Sequence, residues 1–316
     1  MNTHSNPDAS HVSPLSTPLP DGPARESIDE PRLRHVQCLD GRGLHRMAYW
    51  EWGDPTHRRV VVCVHGLSRQ GRDFDTLARD LSAHARVVCP DVVGRGRSDW
   101  LADPMGYQIP AYVADMVTLL ARLDAEVVDW VGTSMGGLIG MGVASLPGSP
   151  VRRLVLNDVG PRIEAAALTR IGAYLGMPVR WSSVEAAADA LAVISQGFGP
   201  HTREQWLALT EPQLRRDAQG AWIPHYDPSI AVPFRAVTPD HAAAGEAALW
   251  QAYDRLQCPT LLLRGAESDL LTAQTAQEMT VRGPRARLQV FQGVGHAPML
   301  VPPDQREVVR RFLLED

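Results

Sequence analysis

The sequence predicts an α/β fold with a mostly parallel sheet, and three observations carry that expectation. Short β-branched runs alternate with amphipathic stretches from residue 35 to residue 157. One run, Arg59–Val64 (RVVVCV), is almost continuously apolar, as a strand buried on both faces must be. The alternation stops near residue 160 and resumes at Pro259, so one α/β domain interrupted by an insertion is the simplest account.

Taken in order, His35–Leu39 and Leu44–Trp52 read as a strand pair, and Arg59–Val64 as a central strand. Asp73–His84 has helical periodicity and Arg86–Cys89 is a short strand. Ile109–Leu123 reads as a helix, with Pro110 tolerated in its first turn, where no intrahelical N–H partner is lost. Val127–Val131 is a strand, Ser134–Ser145 a helix and Val151–Asn157 a strand. Residues 161–250 lack clear strands; Ser183–Ile194 and Arg203–Leu209 are helical and Asp217–Gly220 is a polar turn. The rhythm returns with a strand at Pro259–Leu263, a helix near Thr272–Thr280, a strand at Arg287–Phe291 and a helix at Pro303–Leu314. The expected division is a disordered tail over 1–33, a core over 34–160 and 251–316, and an inserted helical lobe over 161–250. The tail expectation rests on a start rich in Pro, Ser, Asp and His, with neither the basic start nor the apolar run of a signal peptide.

Bulk properties exclude several classes. A net charge of −5 with no long run of either sign lacks the clustered Lys and Arg of a nucleic-acid binder. No apolar stretch is long enough to span a membrane. Cys38, Cys63, Cys89 and Cys258 show no CxxC spacing, so neither a zinc ribbon nor a redox pair is indicated. Cys63 and Cys89 sit in apolar runs, where a free thiol behaves as a small hydrophobe, and a reducing cytoplasmic setting is expected. No metal or other cofactor is called for, and the expected partner is a small molecule.

The chemistry is concentrated in four places. Gly132-Thr133-Ser134-Met135-Gly136-Gly137 lies between a strand and a helix and matches G-x-S-x-G in its required context. A sharp turn there projects the serine above the sheet, the small glycines permit the turn, and the helix start favours developing negative charge. A tetrahedral intermediate needs two donors. The N–H of Met135 is one candidate, and the N–H of Leu67, in the loop His65-Gly66-Leu67 after the central strand, is the other. His65 itself, at the strand end, reads as a structural hydrogen-bonding residue rather than a base. A serine nucleophile needs a base with a near-neutral pKa. His296 fits, in the glycine-flanked turn Gly293-Val294-Gly295-His296-Ala297-Pro298. The acid that orients it is expected at Asp269, in the loop Arg264-Gly265-Ala266-Glu267-Ser268-Asp269 after a strand. Asp158, which follows the strand Val151–Asn157, and Glu267 are its rivals.

Together these pieces resemble the α/β-hydrolase superfamily, in its serine esterase and lipase-like branch, over residues 35–316. The segment Asp91-Val92-Val93-Gly94-Arg95-Gly96-Arg97-Ser98-Asp99 is similar to one such hydrolases carry beside the cleft, and lacks the ending of a phosphate loop. The resemblance implies an eight-stranded, mostly parallel sheet with helices on both faces and a helical cap over 161–250. Trp181, Trp206, Trp222, Tyr226, Phe234 and Trp250 fall in that cap, as pocket lining or as its own small core. It further implies hydrolysis of carboxylic esters through an acyl-enzyme, with short-chain or hydroxyalkanoate-oligomer esters as substrates. C–C bond hydrolysis of a dienoate ketone and a non-catalytic ligand receptor on the same fold are the alternatives. A serine rather than an aspartate at the turn speaks against epoxide hydrolysis and dehalogenation.

Overall fold

A computed structural model describes Met1 and residues 30–315. The expected disordered tail over 1–33 lies outside the described residues, apart from Met1 and residues 30–33, and the first strand already begins at Arg32. That strand, β1 (Arg32–Asp40), turns back into β2 (Gly43–Trp52). Next come β3 (Val60–Val64), α1 (Asp75–Leu81), β4 (Arg86–Pro90), α2 (Ile109–Leu123), β5 (Val128–Thr133), α3 (Met135–Ala144) and β6 (Val151–Asn157). The inserted segment supplies α4 (Ala165–Tyr174), α5 (Val184–Ile194), α6 (Arg203–Thr210), β7 (Leu214–Arg216), β8 (Trp222–Pro224), α7 (Ala231–Arg235) and α8 (Pro239–Asp254). The chain closes with β9 (Thr260–Gly265), α9 (Ala273–Val281), β10 (Arg287–Phe291) and α10 (Pro303–Leu314).

Eight strands form one sheet in the order β1-β2-β4-β3-β5-β6-β9-β10. The β1–β2 and β2–β4 pairs are antiparallel, and the remaining neighbours are parallel. The sheet is therefore the expected mostly parallel one. Its buried strands divide by the period of two. Val60, Val62 and Val64 face the core shared with Met116 and Leu119 of α2 and Ile139 of α3. Val61 and Cys63 face the opposite core, with Leu77 and Leu81 of α1 and Val309 and Phe312 of α10. After β3 the chain adds β4 on one side and β5 on the other, so strand order reverses beside β3. Crevices at such reversals, outside the carboxyl ends of parallel strands, are where ligands bind in open α/β sheets.

Two features of the insertion differ from expectation. A two-stranded ribbon, β7 with β8, flanks the turn at Asp217–Gly220, because three-residue strands are too short to show periodicity. α8 also crosses the expected boundary at residue 250, with Trp250 and Tyr253 packed into the main core.

Edge hairpin and core are joined by a buried polar trio. His45 of β2 sits opposite Cys38 of β1, and its Nε2 lies 3.0 and 3.1 Å from the two carboxylate oxygens of Asp115 on α2. Among the described residues this is the one cluster of metal-ligating side chains. The His45–Asp115 pair already accounts for it, and burial pushes the Cys38 thiol up to about 12. The hydrogen bond to the Asp115 carboxylate raises the His45 pKa against the opposing effect of burial. A histidine raised on folding stabilises fully below its unfolded pKa of ~6.5 and loses that contribution as pH rises through the folded pKa. Asp115→Asn is therefore expected to cost about 2 kcal/mol near pH 6, or ~3 °C in unfolding midpoint. The loss should shrink at pH 9, and an equal loss at both pH values in calorimetry would show that the pair is not ionic.

Candidate active site

Ser134 sits at the turn from β5 into α3 with φ 52° and ψ −116°, a left-handed backbone that a side chain rarely adopts. The strain is held from several sides. The Ser134 N–H donates to the Asn157 carbonyl at 3.0 Å, and its own carbonyl accepts from Gly137 and Leu138 at 2.8 and 3.2 Å. A side chain at Gly136 would run into the Val64 carbonyl of β3, and one at Gly132 into the Gly136 carbonyl. Glycine is required at both because two strands and a helix meet there without clearance. The Trp130 indole donates to the same Gly136 carbonyl at 3.1 Å.

His296 Nε2 lies 3.0 Å from Ser134 Oγ. Its Nδ1 lies 2.7 Å from an oxygen of Asp158, not of Asp269. A carboxylate only accepts, so Nδ1 carries the proton and Nε2 faces the serine as acceptor. The carboxylate that meets His296 is therefore that of the rival, Asp158, and not that of Asp269, where the acid was expected. Asp158 is fully buried and follows β6 directly, and its backbone turns through φ 55°. It also accepts from the Gly265 N–H at 2.9 Å and from the Ser268 hydroxyl at 2.6 Å. The loop after β9 therefore serves the site through a serine and a backbone N–H, while its aspartate goes elsewhere. Asp269 is nearly half exposed and forms a two-pronged ion pair with Arg170 of α4, at 2.7 and 2.8 Å. Partial burial works to raise the Asp269 carboxyl, but the Arg170 hydrogen bond and charge, helped by His296, hold it below its ordinary value. Glu267 borders the cavity and makes no hydrogen bond to His296; its N–H donates to the Val294 carbonyl.

Asn157, which the sequence did not single out, ties the turn regions together. Its amide donates to Thr133 Oγ1 at 2.9 Å and to the Pro298 carbonyl at 2.7 Å, linking the residue before the serine to the loop after the histidine.

The loop after β3 borders the same spot: a Cβ built on Gly66 would lie 3.9 Å from Ser134 Cβ. His65 is fully buried, and burial drives its pKa down to about 3, so the ring is neutral. Its Nε2 accepts from the Val92 N–H at 2.9 Å, which leaves Nδ1–H to donate to the Gly66 carbonyl at 2.7 Å. That carbonyl also accepts from the Arg69 N–H at 3.1 Å. Two donors on one oxygen pin the Gly66–Leu67 peptide and with it the direction of the Leu67 N–H. Met135 opens α3, where first-turn N–H groups have no partner within the helix. In the glycine-rich segment, the Asp91 carboxylate accepts from the Gly71 and Arg97 N–H groups, each at 2.8 Å, a structural arrangement rather than a phosphate cradle.

A cavity of about 620 Å³ opens over Ser134 and His296. Leu67, Ile171, Leu191, Phe198, Leu214 and Met299 give it apolar walls. Trp181 and Tyr226 also line it, whereas Trp250 packs edge-on against Tyr253 in the core and Trp206 stacks on Phe198. Arg69 pairs with buried Asp73, which also accepts from Gln213 of the insertion. Among the described residues no helix is long and apolar enough to cross a membrane.

Residues 61–311 match the family model described as alpha/beta hydrolase family. A 3-hydroxybutyrate-oligomer hydrolase of Cupriavidus necator is 56% identical over 286 residues, covering 89% of this chain and 97% of that protein. Esterase YbfF of Escherichia coli is 26% identical, covering 80% of this chain and 92% of its own. Among solved structures, an alpha/beta hydrolase from Novosphingobium aromaticivorans superposes with a TM-score of 0.80 at 35% identity, covering 90% of this chain and 98% of that one.

The hydrogen-bond pattern makes the two aspartates distinguishable by reaction with a fluorophosphonate, which reports serine reactivity. Asp158→Asn should slow labelling of Ser134 by about 10³–10⁴-fold, because an amide favours the wrong imidazole tautomer. Asp269→Asn should change the rate by less than about tenfold, since it loses an ion pair that is half exposed. The reverse ranking would reinstate Asp269.

Proposed function

Because the chain belongs to the alpha/beta hydrolase family, we propose that it hydrolyses carboxylic esters through an acyl-enzyme on Ser134. The observation that carries this reading is the pair of hydrogen bonds at His296, 3.0 Å to Ser134 Oγ and 2.7 Å to Asp158. Asp158 holds the imidazole in the tautomer that presents a bare Nε2 to the serine. As Oγ attacks the ester carbonyl, its proton passes to Nε2, and Asp158 stabilises the imidazolium. The negative charge on the carbonyl oxygen meets the N–H groups of Leu67 and Met135. Collapse of the tetrahedral intermediate breaks the C–O bond, and the departing alcohol takes the proton from Nε2. A water then gives its proton to the same nitrogen, attacks the acyl-enzyme and releases the acid, returning Ser134 Oγ–H.

Short hydroxyalkanoate oligomers, 3-hydroxybutyrate oligomers first among them, are the substrates we favour. Support comes from the Cupriavidus relative, similar along nearly its whole length. A mainly apolar cavity of this size is within the usual range for small-molecule sites, ~300–1,000 Å³. In this reading the inserted segment is a cap: α4, α5 and the residues around β8 wall the cavity on the side away from the sheet.

The test is a substrate panel spanning p-nitrophenyl acetate to long-chain esters, together with dimers and trimers of 3-hydroxybutyrate, read by chromatography of the released acid. The oligomers are expected to turn over, and Ser134→Ala to lower kcat by about 10⁵-fold or more with the unfolding midpoint retained. Absence of both turnover and fluorophosphonate labelling would sink the hydrolase reading. Cleavage of simple esters without cleavage of oligomers would sink the substrate assignment alone.

A further inference from the structure

Arg95 is fully buried, and none of its partners is a carboxylate among the described residues. A guanidinium is a cation, so a positive charge lies inside the protein. Holding a charge in the interior is unfavourable unless specific contacts compensate it, and packing alone gives no reason to keep it. Its contacts are specific. Nε donates to the Leu67 carbonyl at 2.8 Å, and one terminal nitrogen to the Val93 carbonyl at 2.7 Å and the Tyr112 hydroxyl at 2.9 Å. The other terminal nitrogen lies 3.6 Å from the thioether sulfur of Met135. The rings of Tyr107 and Tyr112 flank the guanidinium at 5.7 and 5.1 Å, a cation–π arrangement.

One guanidinium thus touches both residues to which the proposed reaction gives its oxyanion donors. We infer that Arg95 is the positioning residue of the oxyanion hole, and this rests on the ester-hydrolase reading of Ser134. The peptide before Leu67 is pinned at the Gly66 carbonyl by His65 and Arg69, and the peptide after it is pinned at the Leu67 carbonyl by Arg95. With both neighbouring peptide planes held, the Leu67 N–H has one direction available. The positive charge is bonded to the carbonyl of the residue that supplies that donor, and its field favours the negative charge that forms only in the tetrahedral intermediate. Such a fixed charge acts on the transition state and not on the neutral ester.

The same residue faces the insertion through its backbone. Arg95 pairs as a β-bridge with Tyr226, which lines the cavity. Gly96 N–H donates to the His225 carbonyl at 2.9 Å, and Asp227 N–H to the Gly94 carbonyl at 2.7 Å. The segment that shapes the pocket wall is therefore bonded to the loop whose side chain sets the oxyanion donors.

The test uses full-length Arg95→Met and Arg95→Lys beside wild type. It measures kcat and KM on p-nitrophenyl butyrate, the Ki of butylboronic acid, which forms a tetrahedral adduct on the serine, and thermal unfolding. Arg95→Met is expected to lower kcat by about 100-fold with KM changed by less than about threefold, the size of effect seen when one oxyanion donor is lost. The boronate Ki should rise in proportion to the loss in kcat/KM. Lysine keeps the charge but cannot span Leu67, Val93, Tyr112 and Met135 with one planar group, so Arg95→Lys should lose about tenfold with the same proportionality. The inference is overturned if folded Arg95→Met keeps kcat within about threefold of wild type, or loses kcat with the boronate Ki unchanged. Should the methionine variant not fold, wild-type kcat in Arg95→Lys overturns it equally. A wild type that neither turns over nor labels with fluorophosphonate removes the hydrolase reading, and the role of Arg95 with it.

Discussion

The contact of Gly136 with the Val64 carbonyl is the constraint on which the site depends. It brings the start of α3 against the end of β3 with no room for a side chain, and this forces Ser134 into its left-handed turn. The same approach sets the Gly66–Leu67 loop, which leaves β3 immediately afterwards, beside the serine. Ser134 and the Gly66–Leu67 loop are therefore placed by one steric condition between two neighbouring parallel strands. The electrostatics follow, since a helix start and a pinned peptide then converge on the space above Ser134 Oγ.

Around that point the remaining groups are held by short connections between strand ends. β6 is the neighbour of β5, so the residue after it, Asp158, emerges where a histidine from the loop after β10 can reach both it and the serine. Asn157 bridges the Thr133 and Pro298 positions, and Ser268 and Gly265 complete the hydrogen bonding of the buried carboxylate. This satisfaction matters, because a buried carboxylate left short of donors would be unfavourable as an ion. The pairing of Asp269 with Arg170 instead joins the loop after β9 to the insertion at the cavity wall.

Much of this was legible in the sequence. The continuous apolar run of β3, the exact spans of α2, β6, β10 and α10, and the strand–turn–helix setting of Ser134 all follow from periodicity and glycine placement. His296 was legible from its glycine-flanked turn after a strand. The carboxylate partner of His296 was harder. Both Asp158 and Asp269 follow strands, and sequence does not reveal that β6 lies between β5 and β9, nor that an arginine 99 residues away claims Asp269. One usable signal existed: Asp158 follows its strand with no intervening residue, whereas Asp269 stands four beyond the end of β9 on a longer and freer loop. Arg95 and the short β7–β8 ribbon carried no such signal, because burial of a charged side chain and three-residue pairing depend on what packs against them.

The insertion enters the chain after Asp158 and leaves it before β9, so Ser134, Asp158 and His296 are all carried by the core. Its attachments combine backbone and side-chain bonds, among them the Gly197 carbonyl to the Gly295 N–H, the pairing around Tyr226, the Gln213 side chain on Asp73, the Tyr107 hydroxyl on Asp227 and the Arg170–Asp269 ion pair. Exchange of the inserted segment would thus alter the upper wall of the cavity while leaving Ser134, Asp158 and His296 in register. Any replacement must reproduce these joints, and the one at Arg95 leads on to a side chain that contacts Leu67 and Met135.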